Sequence, residues 1–328
     1  MVNKNTRAAV SGRPVKTQTL GGAVSRIGAG NLTQDLDLSQ DELQELLALT
    51  REVKRSPAAF RDALSGKYLS ILFEKPSLRT RLTFELAIKQ LGGDCVASNG
   101  SIGGREPLKD VARNLERWTQ CIVARTFSQQ TIDELARWAV APVINALSDL
   151  YHPCQALADV FTLLEQFGEL RGLKLAFVGD GNNVAHSLML DAPRLGIDFV
   201  IATPAGYEPN ADIAAEAGGL AAVAGSKLQV TNDPEEAVRG AQAVYTDVWA
   251  SMGKETEADQ RRRNFAPYQV TLELLEKAEP EAVFMHCLPA KRGEETIDEV
   301  IESPRSVVFD QAENRLHTQK ALLLMLLS

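Results

Sequence analysis

The stretch Ser77-Leu78-Arg79-Thr80-Arg81 carries the densest chemistry in the chain. It follows an apolar run, Tyr68 to Phe73, and opens a helix-like segment, Leu82 to Leu91. Lys75, Arg79 and Arg81 bring three cations to one strand-to-helix turn, beside the hydroxyls of Ser77 and Thr80. A helix start presents free backbone N–H groups and the positive end of the helix dipole. Arginines and hydroxyls added there make a seat for a phosphate-like dianion. The plainer reading is Ser77 as an N-cap with arginines on a solvated face.

Four more clusters have chemical content. His152-Pro153-Cys154-Gln155 opens a long helix, with Pro153 at the favoured first position and His152 at the N-cap. A neutral imidazole there is suited to donate to a carbonyl; a capping His with a structural Gln is the alternative. Asp247-Val-Trp-Ala-Ser251-Met252-Gly253 follows a buried strand and offers an acid and a turn for a cationic amine, or else a solvated loop. Phe284-Met-His286-Cys287-Leu288-Pro289 ends another strand in polar groups. Cys287 fits a nucleophile, a ligand-orienting thiol or an inert core thiol. Val178-Gly179-Asp180-Gly181-Asn182-Asn183 invites a dinucleotide reading. It lacks the third glycine and the ribose-binding acid, and Asp180 would repel a pyrophosphate. The glycines are better read as a tight turn that presents Asn183.

These residues must be positioned by alternating strands and helices. A helix pattern runs from Leu36 to Arg55. Apolar runs predict strands at 68–73, 94–98, 121–124 and 142–145, then at 173–178, 199–202, 228–230, 243–246, 282–285 and 307–309. A long helix from His152 to Phe167 separates the two series, and an amphipathic helix from Arg315 to Leu327 ends the chain. The fold class is α/β: two domains, each a mostly parallel sheet with helices on both faces, joined by long helices. The polar clusters fall just beyond strand ends, where open parallel sheets bind ligands, so the interdomain crevice is their meeting place.

Composition sets the outer bounds. At 328 residues, 45% hydrophobic and 24% charged, the chain has the length of two ordinary domains. A net charge of −8 argues against a general nucleic-acid binder. No apolar run approaches the ~20 residues of a membrane span. Cys95, Cys121, Cys154 and Cys287 are scattered, which fits reduced thiols in a cytoplasmic compartment and no zinc site. Residues 1–34 hold five Lys or Arg and no acid. They read as a mobile extension, with organellar import a minor alternative.

Taken together, Ser77 to Arg81, His152 to Gln155, Gly179 to Asn183, Asp247 to Gly253, His286 to Pro289 and Ala312-Glu-Asn-Arg315 resemble the ornithine carbamoyltransferases in order and spacing. The resemblance covers roughly residues 36 to 328. It implies a carbamoyl-phosphate-binding domain at 35–151 completed by helix 315–328, an interdomain helix at 152–170, and an ornithine-binding domain at 171–314. Carbamoyl phosphate is then held by Ser77, Leu78, Arg79, Thr80, Ser101 and Arg125, with its carbamoyl group facing His152, Gln155, the Cys287-Leu288 backbone and Arg315. Ornithine falls to Asn183, Asp247, Ser251 and Met252. The implied catalytic set is Arg79, Arg125, His152, Asp247 and Cys287. The implied reaction gives citrulline and phosphate with no metal or organic cofactor. The family assembles as homotrimers or multiples of trimers, and no nucleic-acid or membrane partner is implied.

The chain departs from the family pattern at two places. Leu78 stands where Thr is usual, and the loop Asn99 to Arg105, with Ser101, replaces a segment in which Gln or His usually reaches a neighbour's phosphate site. Other amine acceptors (acylated ornithine, putrescine, aspartate) and a dinucleotide-dependent dehydrogenase are the competing readings. Asp247 disfavours aspartate, which needs cations around it.

Overall fold

In the computed structural model, residues 24–250 and 257–328 are described. Strands β1 (Tyr68–Phe73), β2 (Asp94–Asn99), β3 (Cys121–Arg125) and β4 (Val143–Leu147) form one parallel sheet, ordered β2-β1-β3-β4. Strands β5 (Lys174–Val178), β6 (Asp198–Ala202), β7 (Leu228–Thr231), β8 (Ala243–Thr246) and β9 (Val283–His286) form a second, ordered β7-β6-β5-β8-β9. Central strands such as β3 and β8 are buried along nearly their whole length. A parallel sheet covered on both faces requires that, which is why these strands read as continuous apolar runs.

The strand order reverses between β1 and β3 in the first sheet, and between β5 and β8 in the second. Such switch points open a crevice at the carboxyl ends of the strands. Residues 74–81 leave β1 there and Arg125 ends β3; Gly179 leaves β5 and Asp247 leaves β8.

Helices α1 (Gln40–Arg55), α2 (Leu78–Gln90), α3 (Leu108–Trp118) and α4 (Gln129–Trp138) accompany the first sheet. Helix α5 (Pro153–Phe167) links the sheets. Its end is set by Gly168, whose φ of 78° suits a residue without Cβ. Helices α6 (Asn183–Arg194), α7 (Ala211–Ala224), α8 (Pro234–Val238), α9 (Ala258–Phe265), α10 (Leu272–Leu275) and α11 (Asp298–Ile301) accompany the second sheet, and α12 (Val308–Leu327) ends the chain. Helix α12 packs against α1, α2 and α5 and touches β9. A helix lodged this way is buried on all sides, as Ala321 to Leu327 are.

Two sequence expectations change. Residues 307–309 are not a strand: Val307 N donates to Phe284 O, and the chain then enters α12 at Val308, well before the expected Arg315. The apolar triplet is a helix start, with Val307 and Val308 buried and Phe309 outside. Nor does the expected mobile extension reach residue 34. Ile27 and Leu32 are buried, Leu32 N donates to Val143 O, and Asn145 N donates to Leu32 O. Two backbone hydrogen bonds along β4 hold this segment as an added edge, which a Gly-rich composition conceals. The rest of that extension, residues 1–23, lies outside the described residues.

Leu32→Ala therefore lowers stability by about 2–5 kcal/mol, the range for a fully buried leucine, measured as the midpoint shift in urea unfolding. A change within ~0.5 kcal/mol, the range of neutral surface substitutions, would mean that the segment adds nothing to the core.

Candidate active site

The anion side starts at α2. Ser77 caps the helix, accepting from Thr80 N at 3.3 Å. The plainer reading of Ser77 is thus realised, yet the cap leaves the first-turn N–H groups of Leu78 and Arg79 directed outward. The Leu78 side chain is 71% exposed, so this position offers the crevice only backbone. Thr80 is buried, and its Oγ1 accepts from Arg315 Nη2 at 2.7 Å, bringing α12 onto the start of α2. The three cations of the turn separate. Arg81 pairs with Glu85 at 2.7 Å, and Lys75 packs over the Phe127 ring. Arg79 is partly buried and makes no ion pair among the described residues. Glu74 accepts from Ile102 N at 3.1 Å and Phe127 N at 3.0 Å, tying down both loops that flank β1. Ser101 is exposed in one of them and is not part of the buried cluster.

Arg125, at the end of β3, and Arg315 share one pocket of charge. Neither makes an ion pair among the described residues, and the Nε of each is buried without a partner. Burial, with Arg315 adding its field, brings Arg125 down to about 10. Burial also lowers Arg315 below the ordinary guanidinium range. His152 lies within the same field. Burial first, then Arg315 and Arg125, hold its imidazole well below its ordinary value, so it is neutral at physiological pH. Its Nδ1 is buried and unpartnered.

Gln155 is oriented by a buried hub. Its Nε2 donates to Asp159 Oδ1 at 2.8 Å, which leaves its Oε1 as an unpartnered acceptor. Asp159 also accepts from Gln311 Nε2 at 2.6 Å, and Gln311 Oε1 accepts from His286 N at 3.0 Å. Thus α5, α12 and the end of β9 are locked to one carboxylate, whose burial pushes it up to about 7.

The amine side is a different kind of site, because its polar groups satisfy each other. Cys287 Sγ donates to Asp247 Oδ1 at 3.0 Å, and Asn182 Nδ2 donates to Asp247 Oδ2 at 2.7 Å. Burial, then the adjacent Asp247, pushes the Cys287 thiol well above its ordinary range. A neutral thiol that donates is an orienting group, and of the three readings of Cys287 the nucleophile fits worst. Leu288, with φ 56°, turns the backbone so that its N–H donates to His286 Nδ1 at 2.8 Å. His286 Nε2 meets Glu295 at 3.2 Å. Asp247, His286 and Cys287 have donor atoms within 4.8 Å of one another, a metal-like spacing. Both nitrogens of His286 are already engaged, which leaves no imidazole lone pair for an ion.

The Gly179 to Asn183 turn serves this side. Gly181 has no room for a Cβ, which would stand 2.2 Å from Pro209 N. The close approach that the glycine permits is therefore to protein backbone, not to a pyrophosphate. Asp180 pairs with Arg261 at 3.0 Å. Arg261 also donates to Trp249 O at 2.8 Å and to Glu257 at 3.0 Å, gripping both ends of segment 250–257. Ser251 and Met252 lie outside the described residues. Asn183 is half-buried and its Nδ2 donates to Ser148 O at 2.6 Å.

The structure thus brings Thr80, Arg125, His152, Gln155, Cys287 and Arg315 together, with Asp247 joined through Cys287. Sequence reading missed Asn182, Asp159, Gln311 and Arg261. Only Asn182 had a local signal, as the Asn that caps α6. Because the Cys287 thiol titrates so high, its alkylation by iodoacetamide is at least ~10-fold slower at pH 7.5 than that of a free thiol of pKa ≈ 8.5, and still rises beyond pH 9. Peptide mass spectrometry after timed labelling checks this; a rate that levels off below pH 8.5 would contradict it.

Comparison with known proteins agrees with this geometry. Residues 31–165 match the carbamoyl-P binding domain of aspartate/ornithine carbamoyltransferases, and residues 171–326 match their Asp/Orn binding domain. An ornithine carbamoyltransferase from Symbiobacterium thermophilum is 54% identical over 89% of this chain and 96% of its own. The structure of ornithine carbamoyltransferase from Pyrococcus furiosus superposes with a TM-score of 0.90 at 45% identity, covering 93% of this chain and 99% of the other. An acetylornithine transcarbamylase complexed with acetylcitrulline has a TM-score of 0.83 at 31% identity, covering 91% and 99%. With both halves matched in order and the crevice between them bearing the corresponding chemistry, this chain belongs to the aspartate/ornithine carbamoyltransferase family.

Proposed function

We infer that this chain transfers the carbamoyl group of carbamoyl phosphate to the side-chain amine of ornithine, giving citrulline and phosphate. The neutral amine attacks the carbamoyl carbon and a C–N bond forms. The C–O bond to phosphate breaks, phosphate leaves with the electron pair, and the proton lost by the amine nitrogen ends on the departing phosphate.

One observation carries the reading. Arg125 Nε, Arg315 Nε, His152 Nδ1 and Gln155 Oε1 are all buried and unpartnered in one charged neighbourhood. A buried polar atom left this way costs about 1–3 kcal/mol, so the cluster is built for a ligand. Two guanidinium donors, an imidazole nitrogen and one amide acceptor match a group with anionic oxygens, a carbonyl and an NH2. Arg79, Arg125 and Arg315 neutralise the phosphate as it departs. Neutral His152 donates to the carbonyl oxygen as charge develops there. Ser77, Thr80 and the first-turn N–H groups of α2 complete the phosphate seat, and Gln155 Oε1 accepts from the carbamoyl NH2. Asp247, steadied by Asn182 and Cys287, holds the amine. Asn183 takes the carboxylate end of ornithine, with Ser251 and Met252 closing that side. Residues 35–151 with α12 make the carbamoyl-phosphate half, and 171–314 the ornithine half.

Plain ornithine is favoured over acylornithine, because identity is 54% to the ornithine enzyme of Symbiobacterium and 31% to the acetylornithine enzyme. The test is phosphate release from carbamoyl phosphate with ornithine, acetylornithine, putrescine and aspartate as acceptors. Ornithine exceeds each of the others at least ~10⁴-fold in kcat/KM, the scale of discrimination when a site's polar groups would be left unpaired. A better rate with any other acceptor would overturn the assignment.

We also propose a homotrimer, or a multiple of trimers, in the cytoplasm. The four described cysteines are free, which suits a reducing compartment. Helix α2 presents Leu78, Leu82 and Leu86 at 71%, 46% and 45% exposure along one stripe, beside edge strand β2 with Val96 at 68%. Contiguous exposed apolar surface of this kind marks an interface. Leu82→Glu shifts the light-scattering mass from trimer to monomer; an unchanged mass would move the interface elsewhere.

A further inference from the structure

Helix α6 holds the loop before α5 by three hydrogen bonds to its backbone. Asn183 Nδ2 donates to Ser148 O at 2.6 Å. His186 Nδ1 donates to Leu150 O at 2.9 Å, a direction fixed because His186 Nε2 accepts from Asn210 N at 3.0 Å. Ser187 Oγ accepts from His152 N at 2.9 Å. The third bond differs from the others, because its acceptor is itself held. Ser187 Oγ donates its proton to Asp35 Oδ2 at 2.7 Å.

We propose that Asp35 and Ser187 are positioning residues for His152. They form a buried relay that fixes the imidazole of the carbamoyl half in register with Asn183 of the amine half. The proposal rests on the carbamoyl-transfer reading above.

A serine inside a helix ordinarily donates to the carbonyl four residues back. If Ser187 did so, nothing would fix its lone pairs on the His152 amide. Asp35 takes the proton instead, which turns a lone pair onto that amide. The carboxylate is buried at considerable cost. Asp35 and Ser187 are essentially inaccessible, and Asp35 Oδ1 has no partner among the described residues. Arg194 answers part of the charge: its Nη1 meets the Asp35 carbonyl at 3.3 Å and Asp191 at 3.3 Å, and its Nη2 donates to Leu38 O. Residues 187, 191 and 194 recur along one face of α6; Ser187 and Arg194 bond the turn 35–38, and Asp191 pairs with Arg194. An apolar contact would join these elements at lower cost. What a directed hydroxyl adds is placement. His152 sits at the start of α5 with no side-chain cap; its carbonyl accepts from Gln155 N and Ala156 N, and the Ser187 bond is what holds its amide.

The test uses the full-length protein in Ser187→Ala, Asp35→Ala, Asp35→Asn and the Ser187→Ala/Asp35→Ala double variant. Asn still accepts the serine proton, whereas Ala does not. A displaced catalytic group costs roughly 10²-fold when misplaced by about 1 Å. The expected result is therefore a kcat loss of about 10- to 100-fold in both single Ala variants. Calorimetry should find carbamoyl phosphate Kd within threefold. Asp35→Asn stays near the wild type, and the double variant is no worse than Ser187→Ala. Hydrogen exchange at the His152 amide accelerates in the Ala variants alone, a readout that does not need turnover. A purely structural role predicts otherwise: lowered Tm with kcat unchanged, or kcat losses that multiply in the double variant. Either result, or unaltered exchange at His152, overturns the proposal. If Asp35→Ala fails to fold, Ser187→Ala and Asp35→Asn decide alone. Absence of turnover in the wild type would count against carbamoyl transfer, while the exchange measurement would still judge the relay.

Discussion

The structure turns on enclosing Arg315 and Arg125 beside one another with no acid among the described residues to pair with either. Guanidinium groups repel and lose hydration when enclosed, so the arrangement is unfavourable until an anion arrives. Much of the architecture serves to hold it open. Helix α12 must lie against α1, α2 and α5 for Arg315 to reach Thr80. Helix α5 must begin where it does for His152 and Gln155 to face the same field. Asp159 ties these helices to the end of β9, so the thiol of Cys287 is placed by the same hub that sets the amide of Gln155.

Much of this framework was legible in the sequence. Strand positions agree to within a residue or two, because parallel strands buried on both faces are unbroken apolar runs and need no partner to be recognised. Residues at strand ends were legible for the same reason: once the run is seen, the polar group that stops it stands out, as with Arg125, Asp247 and Cys287. Val307-Val308-Phe309 misled because a triplet cannot distinguish alternation from a helical face. The segment around Leu32 misled because glycine-rich composition says nothing about an edge that β4 happens to leave open.

The residues that were not legible share one property. Asp159 meets Gln311, Ser187 meets Asp35, and Asp180 meets Arg261, across 152, 152 and 81 positions of chain. No local pattern encodes such pairs. A buried Asp in a helix looks in sequence like any solvated one. Arg81 is the converse case. It counts among the three cations of the turn, but Glu85 one turn along claims it, an i,i+4 pairing written openly in the sequence.

The two halves of the crevice differ in what a ligand must displace, and this bears on the order of events. On the anion side Arg125 Nε, Arg315 Nε, His152 Nδ1 and Gln155 Oε1 have no partner among the described residues, so carbamoyl phosphate gains hydrogen bonds there and meets only the Arg315–Thr80 bond and the Ser77 cap in place. On the amine side Asp247 already accepts from Cys287 and Asn182, so an incoming ammonium competes with bonds in place. Ornithine alone gains little, because it exchanges one satisfied network for another and enters next to two uncompensated arginines that repel its positive charge. Once the dianion is seated, that repulsion is cancelled and the amine has a carbonyl carbon to approach. These contrasts favour carbamoyl phosphate as the first ligand, because it is the one that meets buried atoms lacking partners among the described residues.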